Sequence, residues 1–483
     1  MSTRGTSTVA AESSVLECEA SAGSRAKGSS LLSAILNLLN TVVGGGILSL
    51  PFAFRSCGVA VGAAYILVFG AASWLGSLLL LDAMRYRPGA RSYEDLARLS
   101  IGRGGARAYN FAALVNCYGA CVSYMVAAAD VIPPLLAEMG HDLGRSPVLI
   151  ALTAVIIFPL SALRDISALQ YASGVAILIY LAFAITLVCL AWGGASAPAA
   201  LQAPSDAVAS SALFKPDPAG WIRAIPICAF AFVHQTSVFP VYQELSEQSR
   251  RRMGTAVAAA IIAATALYLV AAFAASARFG EGIRGDILLN LAAIDSTSVR
   301  VVRLAFGLSL CLTYPVLHFP ARRVLSQLLF NRADSRSADS GAGDPEAAAY
   351  ATAAYGGEEA IGLEEQRTRC EVGVVSCEGA RRVPAASPAH EAACHRLLGL
   401  TCLLVGSSLC IALAVDHVES IFGFTGAVAS TMLSYVLPAS IHLRVRRHRM
   451  ASLRKNGATA AFLVMGTVCG LVALVNHTID VLA

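Results

Sequence analysis

The sequence predicts an all-α membrane protein with about eleven transmembrane helices. Of its 483 residues, 56% are hydrophobic and only 14% charged, with a mean hydropathy of +0.64. A soluble domain carries about 25% charged residues. The apolar residues come in long unbroken runs rather than strand-like alternation, and a bilayer-spanning helix needs about 20 of them. Lipid offers the backbone no hydrogen bonds, so such runs must close their bonds internally, as helices do. The basic residues sit between the runs, biased to one side.

In chain order, residues 1–29 are rich in Ser and Ala and lack the apolar core of a cleaved signal peptide. They predict a disordered cytosolic tail. Apolar segments follow at about 31–54, 59–84, 108–137, 147–163, 168–192, 222–242, 255–277 and 299–320, making 30–330 a first block of eight helices. Residues 193–220 form a Pro/Ala/Ser loop inside it. Residues 331–393 are acidic, Gly/Ala-rich and poor in large apolar side chains, which predicts a disordered cytosolic insertion with room for partner-binding motifs. Segments at about 395–414, 417–442 and 458–479 make up the closing block, 394–483.

Placing the N-terminus in the cytosol puts 28 of the 36 Lys and Arg residues on the cytosolic side. The short loops alone show the bias, at Arg85–Arg107, Arg250–Arg252 and Arg444–Lys455. An odd number of spans then leaves the C-terminus outside, with the sequon Asn476-His477-Thr478 close to the outer membrane surface.

The net charge of +5 comes with no basic patch interleaved with aromatics, so nucleic-acid binding is excluded. Most of the thirteen cysteines, such as Cys117, Cys121, Cys189 and Cys311, lie in apolar runs as small packing residues. Cys370, Cys377, His390, Cys394 and His395 share one loop, but their spacing matches no standard zinc pattern. No nucleophile–base–orienter set is visible, so an enzyme is not expected.

Three stretches look like a binding site. The first segment contains Asn40-Thr41-Val42-Val43-Gly44-Gly45-Gly46, followed by Pro51. Three consecutive glycines and a proline weaken a helix in mid-membrane, where broken backbone is tolerated only inside protein or along a cavity. Freed N–H groups there can bind a carboxylate and freed carbonyls a cation. The sixth segment carries His234-Gln235-Thr236-Ser237, followed by Pro240. Paired interruptions in corresponding positions of two halves point to a transporter site. On this reading Thr41, Gly44, Gly45, Gly46, His234, Gln235 and Thr236 bind substrate. The eighth segment places Ser309 and Thr313 on one helix face. With Asn40 they form a candidate Na⁺ site, since hard cations take oxygen ligands; alternatively the two hydroxyls bond back to their own helix. Asp130 and His234 are candidate titrating groups if the coupling ion is H⁺. Gly58…Gly62 and Gly466…Gly470 have the spacing of close helix packing.

With these residues in hand, the chain resembles the amino acid/auxin permease family, which includes sodium-coupled neutral amino acid transporters and fungal vacuolar amino acid transporters. The likeness covers nearly all of 30–480 and rests on "NTVVGGGILSLPFAFRSCGVAVG" at 40–62, "FAFVHQTSVFPVYQEL" at 230–245 and "LCLTYPVLHFPARR" at 310–323. It implies an inverted five-plus-five repeat with broken helices one and six plus an eleventh helix. It also implies ion binding by Asn40 and Thr313, and residence in a vacuolar, lysosomal or plasma membrane. The run 234–236 departs from the Cys-His-Pro-like run usual in the sodium-coupled branch, and 193–220 lacks the cysteine for a lumenal disulfide.

The expected function is secondary transport of amino acids, coupled to H⁺ or Na⁺, with no other cofactor. The rival readings are an amino-acid-sensing receptor with little transport and a channel, although no charged pore ring is visible.

Overall fold

The computed structural model describes residues 29–163, 170–193, 213–330, 388–415, 417–446 and 453–482. The expected tail 1–29 and insertion 331–393 fall almost wholly outside them, as do Cys370 and Cys377. The described residues are helical, with one isolated bridge between Ser29 and Leu245.

The first apolar segment is not one helix. It divides into α1 (Leu31–Val42), a 3₁₀ turn (Gly45–Leu48) and α2 (Leu50–Cys57). Ser30 caps α1 by accepting the Ser33 N–H, and Pro51 opens α2, where a missing N–H costs nothing. Gly58 turns the chain at φ +91°, a left-handed conformation that suits glycine. Then α3 (Val59–Met84) runs back, apolar on all sides.

The connection after α3 contains a helix the hydropathy pattern passes over, α4 (Tyr93–Ile101). Ser92 caps it, Glu94 and Asp95 stand in its first turn, and only Tyr93, Leu96, Ala97 and Ser100 are buried. Next come α5 (Arg103–Glu138), α6 (Arg145–Ala162, with a π turn at Thr153–Ile157) and α7 (Gln170–Trp192).

The sixth segment is also divided, into α8 (Pro218–Ala231) and α9 (Gln235–Glu244). It is followed by α10 (Arg250–Phe279), the short α11 (Ile287–Ala292) and α12 (Thr297–Phe330). The closing block is α13 (Pro388–Ala414), α14 (Val418–Arg446, with π turns at Gly426–Ser430 and Met432–Val436) and α15 (Leu453–Leu482).

Among the described residues, ten helices are long and apolar enough to cross a membrane, counting α8 and α9 as one. The first segment falls short because its break leaves α1 at only 12 residues. Boundaries expected for the unbroken spans hold to within a few residues, except that α5, α10, α12, α13 and α15 run further at one end.

The two broken segments lie at the centre, with α3, α5, α10 and α14 around them. Backbones meet closely there. Gly76 of α3 lies against the Ser434 carbonyl of α14, and Gly426 of α14 against the Pro226 carbonyl of α8. The packing expected of Gly466 and Gly470 is present, against Tyr435 and Thr431. Of the other pair, Gly62 packs under the Phe54 ring, while Gly58 serves the turn.

Asp82 at the end of α3 meets His442 (3.1 Å) and Arg446 (3.6 Å) of α14, and Gln243 donates to the Arg91 carbonyl at 2.5 Å. The basic short loops therefore gather at one end. Arg223 pairs with Asp480 at 3.0 Å at the other end, beside the C-terminus.

Candidate functional site

The two breaks form a single place. A Cβ added at Gly46 would stand 2.9 Å from Ala231 Cα, so only glycine allows the first break to touch the end of α8. Tyr268 of α10 is fully buried, and its hydroxyl lies 2.7 Å from the Val42 carbonyl and 2.9 Å from the Ala231 carbonyl. These are the last carbonyls of α1 and α8, both left without intrahelical partners by the breaks. One phenol proton thus ties the two half-helices together.

Aromatic rings roof the glycines. The Gly45 N–H donates to the Tyr124 hydroxyl at 3.4 Å. A Cβ on Gly44 would stand 2.8 Å from that hydroxyl, and one on Gly45 would stand 2.7 Å from the Tyr124 ring and 3.2 Å from Phe422. Phe422 packs on Phe230 with centroids 4.7 Å apart. Asn40, Thr41 and Gly44 are half-buried, so this stretch keeps an accessible side. The Thr41 hydroxyl donates to the Asn37 carbonyl at 2.9 Å.

Beside Phe422, a cavity of about 320 Å³ opens toward the C-terminal end, lined by Phe52, Arg223, Ile227, Glu419, Gly423 and His477 among others. At the opposite end a backbone bridge joins the start of the described chain to the end of α9. Ser29 N–H donates to the Glu244 carbonyl at 2.7 Å, and Ser246 N–H to the Ser29 carbonyl at 3.1 Å.

The polar run of the second break behaves differently from a free ligand set. His234 Nδ1 lies 3.1 Å from the Phe232 carbonyl, which can only accept, so Nδ1 carries the proton. Nε2 then accepts from the Ser77 hydroxyl at 2.8 Å. The Gln235 amide donates to the Ser73 hydroxyl at 2.8 Å and to the Ser73 carbonyl at 3.2 Å. Its carbonyl oxygen accepts from Ser434 at 2.8 Å and from the His234 N–H at 3.1 Å. The polar atoms of His234 and Gln235 are spent fastening the break to α3 and α14. Thr236, at the start of α9, is half-buried.

The candidate cation ligands are also partly occupied. Thr313 donates to the Ser309 carbonyl, and Ser309 to the Phe306 carbonyl, each at 2.7 Å. This is the back-bonding alternative. Among the described residues no group of His, Cys, Asp or Glu could hold a metal ion.

Tyr124, Tyr268, Phe422, Ser73 and Ser77 did not stand out in the sequence. Their only signal is modest: the two serines sit four apart on one helix face, and the tyrosines place a hydroxyl inside an apolar run.

Two broken helices facing each other inside the bundle, held by side chains of the surrounding helices, make a transporter-type centre. Comparison with known proteins agrees. Residues 27–482 match the family described as transmembrane amino acid transporter protein. The chain belongs to that family. It is 26% identical over 422 residues to vacuolar amino acid transporter 6 of Saccharomyces cerevisiae, covering 85% of this chain and 88% of that protein. It is likewise 26% identical over 485 residues to sodium-coupled neutral amino acid symporter 2 of Danio rerio, covering 95% and 84%. Among solved structures, that of MhsT in complex with L-phenylalanine aligns with a TM-score of 0.53 at 15% identity, covering 94% of this chain and 100% of that one. At that identity the likeness shows a shared fold. Membership of this family makes the chain a membrane transporter rather than an enzyme.

Proposed function

We propose that this protein carries amino acids across its membrane by alternating access, coupled to H⁺ or Na⁺, with the substrate held between the paired breaks. The observation that carries the reading is the junction of Gly46, Ala231 and Tyr268, which brings the loose ends of two half-helices to one point. An amino acid's ammonium group suits the carbonyl ends of α1 and α8. Its carboxylate suits the N–H groups of Gly45 and Gly46, where Tyr124 now takes the Gly45 N–H. Thr41, Gly44 and Thr236 are the remaining site residues, while His234 and Gln235 act as positioning residues. If the ion is Na⁺, Asn40 and Thr313 supply oxygen ligands once Thr313 turns from its own helix.

On this reading the basic end is cytosolic, and the Ser29–Leu245 bridge closes it. The cavity beside Phe422 is then the outer or lumenal approach, and Phe422 with Phe230 separates it from the glycines. The two halves of the chain would be inverted repeats, with α15 the additional helix. The membrane is vacuolar, lysosomal or plasma, and the segment 331–393 would meet cytosolic partners.

The test is uptake of a panel of radiolabelled amino acids into proteoliposomes holding the full-length protein, with Na⁺ replaced by choline and the pH set at two values. Saturable uptake of one amino acid class is expected. Binding without uptake would support the sensing receptor instead.

A further inference from the structure

We propose that Asp286, in the connection between α10 and α12, is a proton-binding group whose occupancy decides whether the C-terminal end of the molecule is shut over the paired breaks. Its part in coupling rests on the transport reading; its effect on the shut state does not.

Asp286 is 1% exposed. Its Oδ1 accepts the Leu288 N–H at 2.8 Å, but Oδ2 is buried with no hydrogen-bond partner. An ionised carboxylate so placed leaves a charged oxygen unsatisfied, which is costly.

The cations nearby are engaged with other carboxylates. From α5, Asp130 lies 3.6 Å from Arg145 of α6, and Glu138 is paired with both Arg300 and Arg303 of α12 at 2.9 Å. From α14, Glu419 faces the connection, with His417 Nδ1 3.5 Å from its Oε1. Burial first, and then the charge of Asp130, hold Asp286 well above the usual carboxylate range; the hydrogen bond from the Leu288 N–H opposes the rise, Glu419 adds to it and Arg303 opposes it least. This arrangement favours the neutral carboxyl of Asp286 over its carboxylate.

The connection that carries Asp286 is pressed on the first break. The Ile283 carbonyl accepts from Arg55 at 2.6 Å, and the Gly285 carbonyl from Ser49 at 2.8 Å. Ser49 lies between the 3₁₀ turn and α2, and Arg55 lies on α2. Gly285 abuts the Glu419 carboxylate so closely that no Cβ would fit. Loss of the proton repels Asp286 from Asp130 and Glu419. It also draws Asp286 toward Arg303, whose Nε and Nη2 are buried without partners. Both forces move the connection, and with it the contacts to Ser49 and Arg55.

The sign follows from linkage. In the structure described, Phe422 and Phe230 stand between the C-terminal cavity and the glycines, so it is the form shut over the breaks. It has the raised pKa and binds the proton more tightly than an open, hydrated form. Acid therefore favours the shut form. That advantage is lost as pH rises from the ordinary carboxylate value, about 4, through the raised one.

The experiment is hydrogen–deuterium exchange of the full-length protein in lipid nanodiscs without substrate, over 46–57 and 280–292, corrected for the intrinsic pH dependence of exchange. Wild type is expected to exchange more at pH 8 than at pH 5, changing by at most about tenfold per pH unit because one proton is involved. Asp286→Asn should exchange slowly at both pH values, and Asp286→Glu should keep a pH response. Glu419→Gln, which removes a facing negative charge, should move the midpoint to lower pH even if Asp286→Asn fails to fold. A wild type insensitive to pH, an Asp286→Asn variant with the wild-type response, or an unmoved midpoint in Glu419→Gln would each overturn the proposal. No substrate is present, so failure of amino acid uptake would be a separate result.

Discussion

Replacing Tyr268 by Phe tests whether one hydroxyl holds the two breaks together. The substitution removes a single oxygen from a fully buried ring whose packing on Phe232, at 5.3 Å between centroids, is otherwise kept. The Val42 carbonyl retains the Gly44 N–H at 3.0 Å, so the larger loss falls on the Ala231 carbonyl. Leaving a buried acceptor unsatisfied costs about 1–3 kcal/mol, and hydrogen bonds measured within membranes average about 0.6 kcal/mol, which sets a lower bound. If the closed, substrate-holding state bears this cost, apparent substrate affinity should fall by about 5- to 150-fold at the upper range. The thermal midpoint of the purified protein should fall as well. The assay is concentration-dependent uptake in proteoliposomes beside a melting curve in the same lipid. Unchanged affinity together with an unchanged midpoint would show that the junction is not held by this bond and would refute the reasoning.

Gly45→Leu should abolish uptake while leaving the protein folded and at the membrane, because the side chain would occupy the place of the Tyr124 and Phe422 rings; near-normal uptake would reduce the glycines to packing residues. Thr313→Ala should raise the Na⁺ requirement more than it alters amino acid preference if the ion is Na⁺. If choline replaces Na⁺ without loss while acid on the outer side stimulates uptake, the proton reading is favoured, and strict Na⁺ dependence unchanged across pH would reject it. A tag inserted in 331–393 should be protected on the cytosolic side and a tag at Ala483 on the other; finding both on one side would sink the proposed topology.

Much of the architecture is legible in the sequence because membrane helices obey a local rule. Each apolar run must satisfy its own backbone and reach across a fixed thickness, so length and composition locate the spans. The two breaks are legible for the same reason, since Gly44–Gly46 and the polar run 234–236 defy that rule in mid-membrane. Helix α4 is not legible from hydropathy, because it lies outside the apolar runs and buries only one face.

The partners of the broken ends depend on contacts between residues far apart in the chain, which no local pattern carries. His234 looked like a ligand because a histidine in lipid is expensive, yet Ser77 and the Phe232 carbonyl occupy both ring nitrogens. Ser309 and Thr313 share a face, as their spacing requires, but whether a hydroxyl turns to its own helix or to an ion depends on what stands opposite. Tyr268 reads in the sequence as one more aromatic in an apolar run. Only the packing of α10 across both breaks brings its single proton to the last carbonyls of both half-helices. Composition and periodicity determined the class, the spans and the positions of the breaks, because those follow from the solvent. The tertiary structure decided which side chains close the breaks and which buried carboxylate lacks a partner, because hydrogen bonds and charges are satisfied by neighbours in space rather than in sequence.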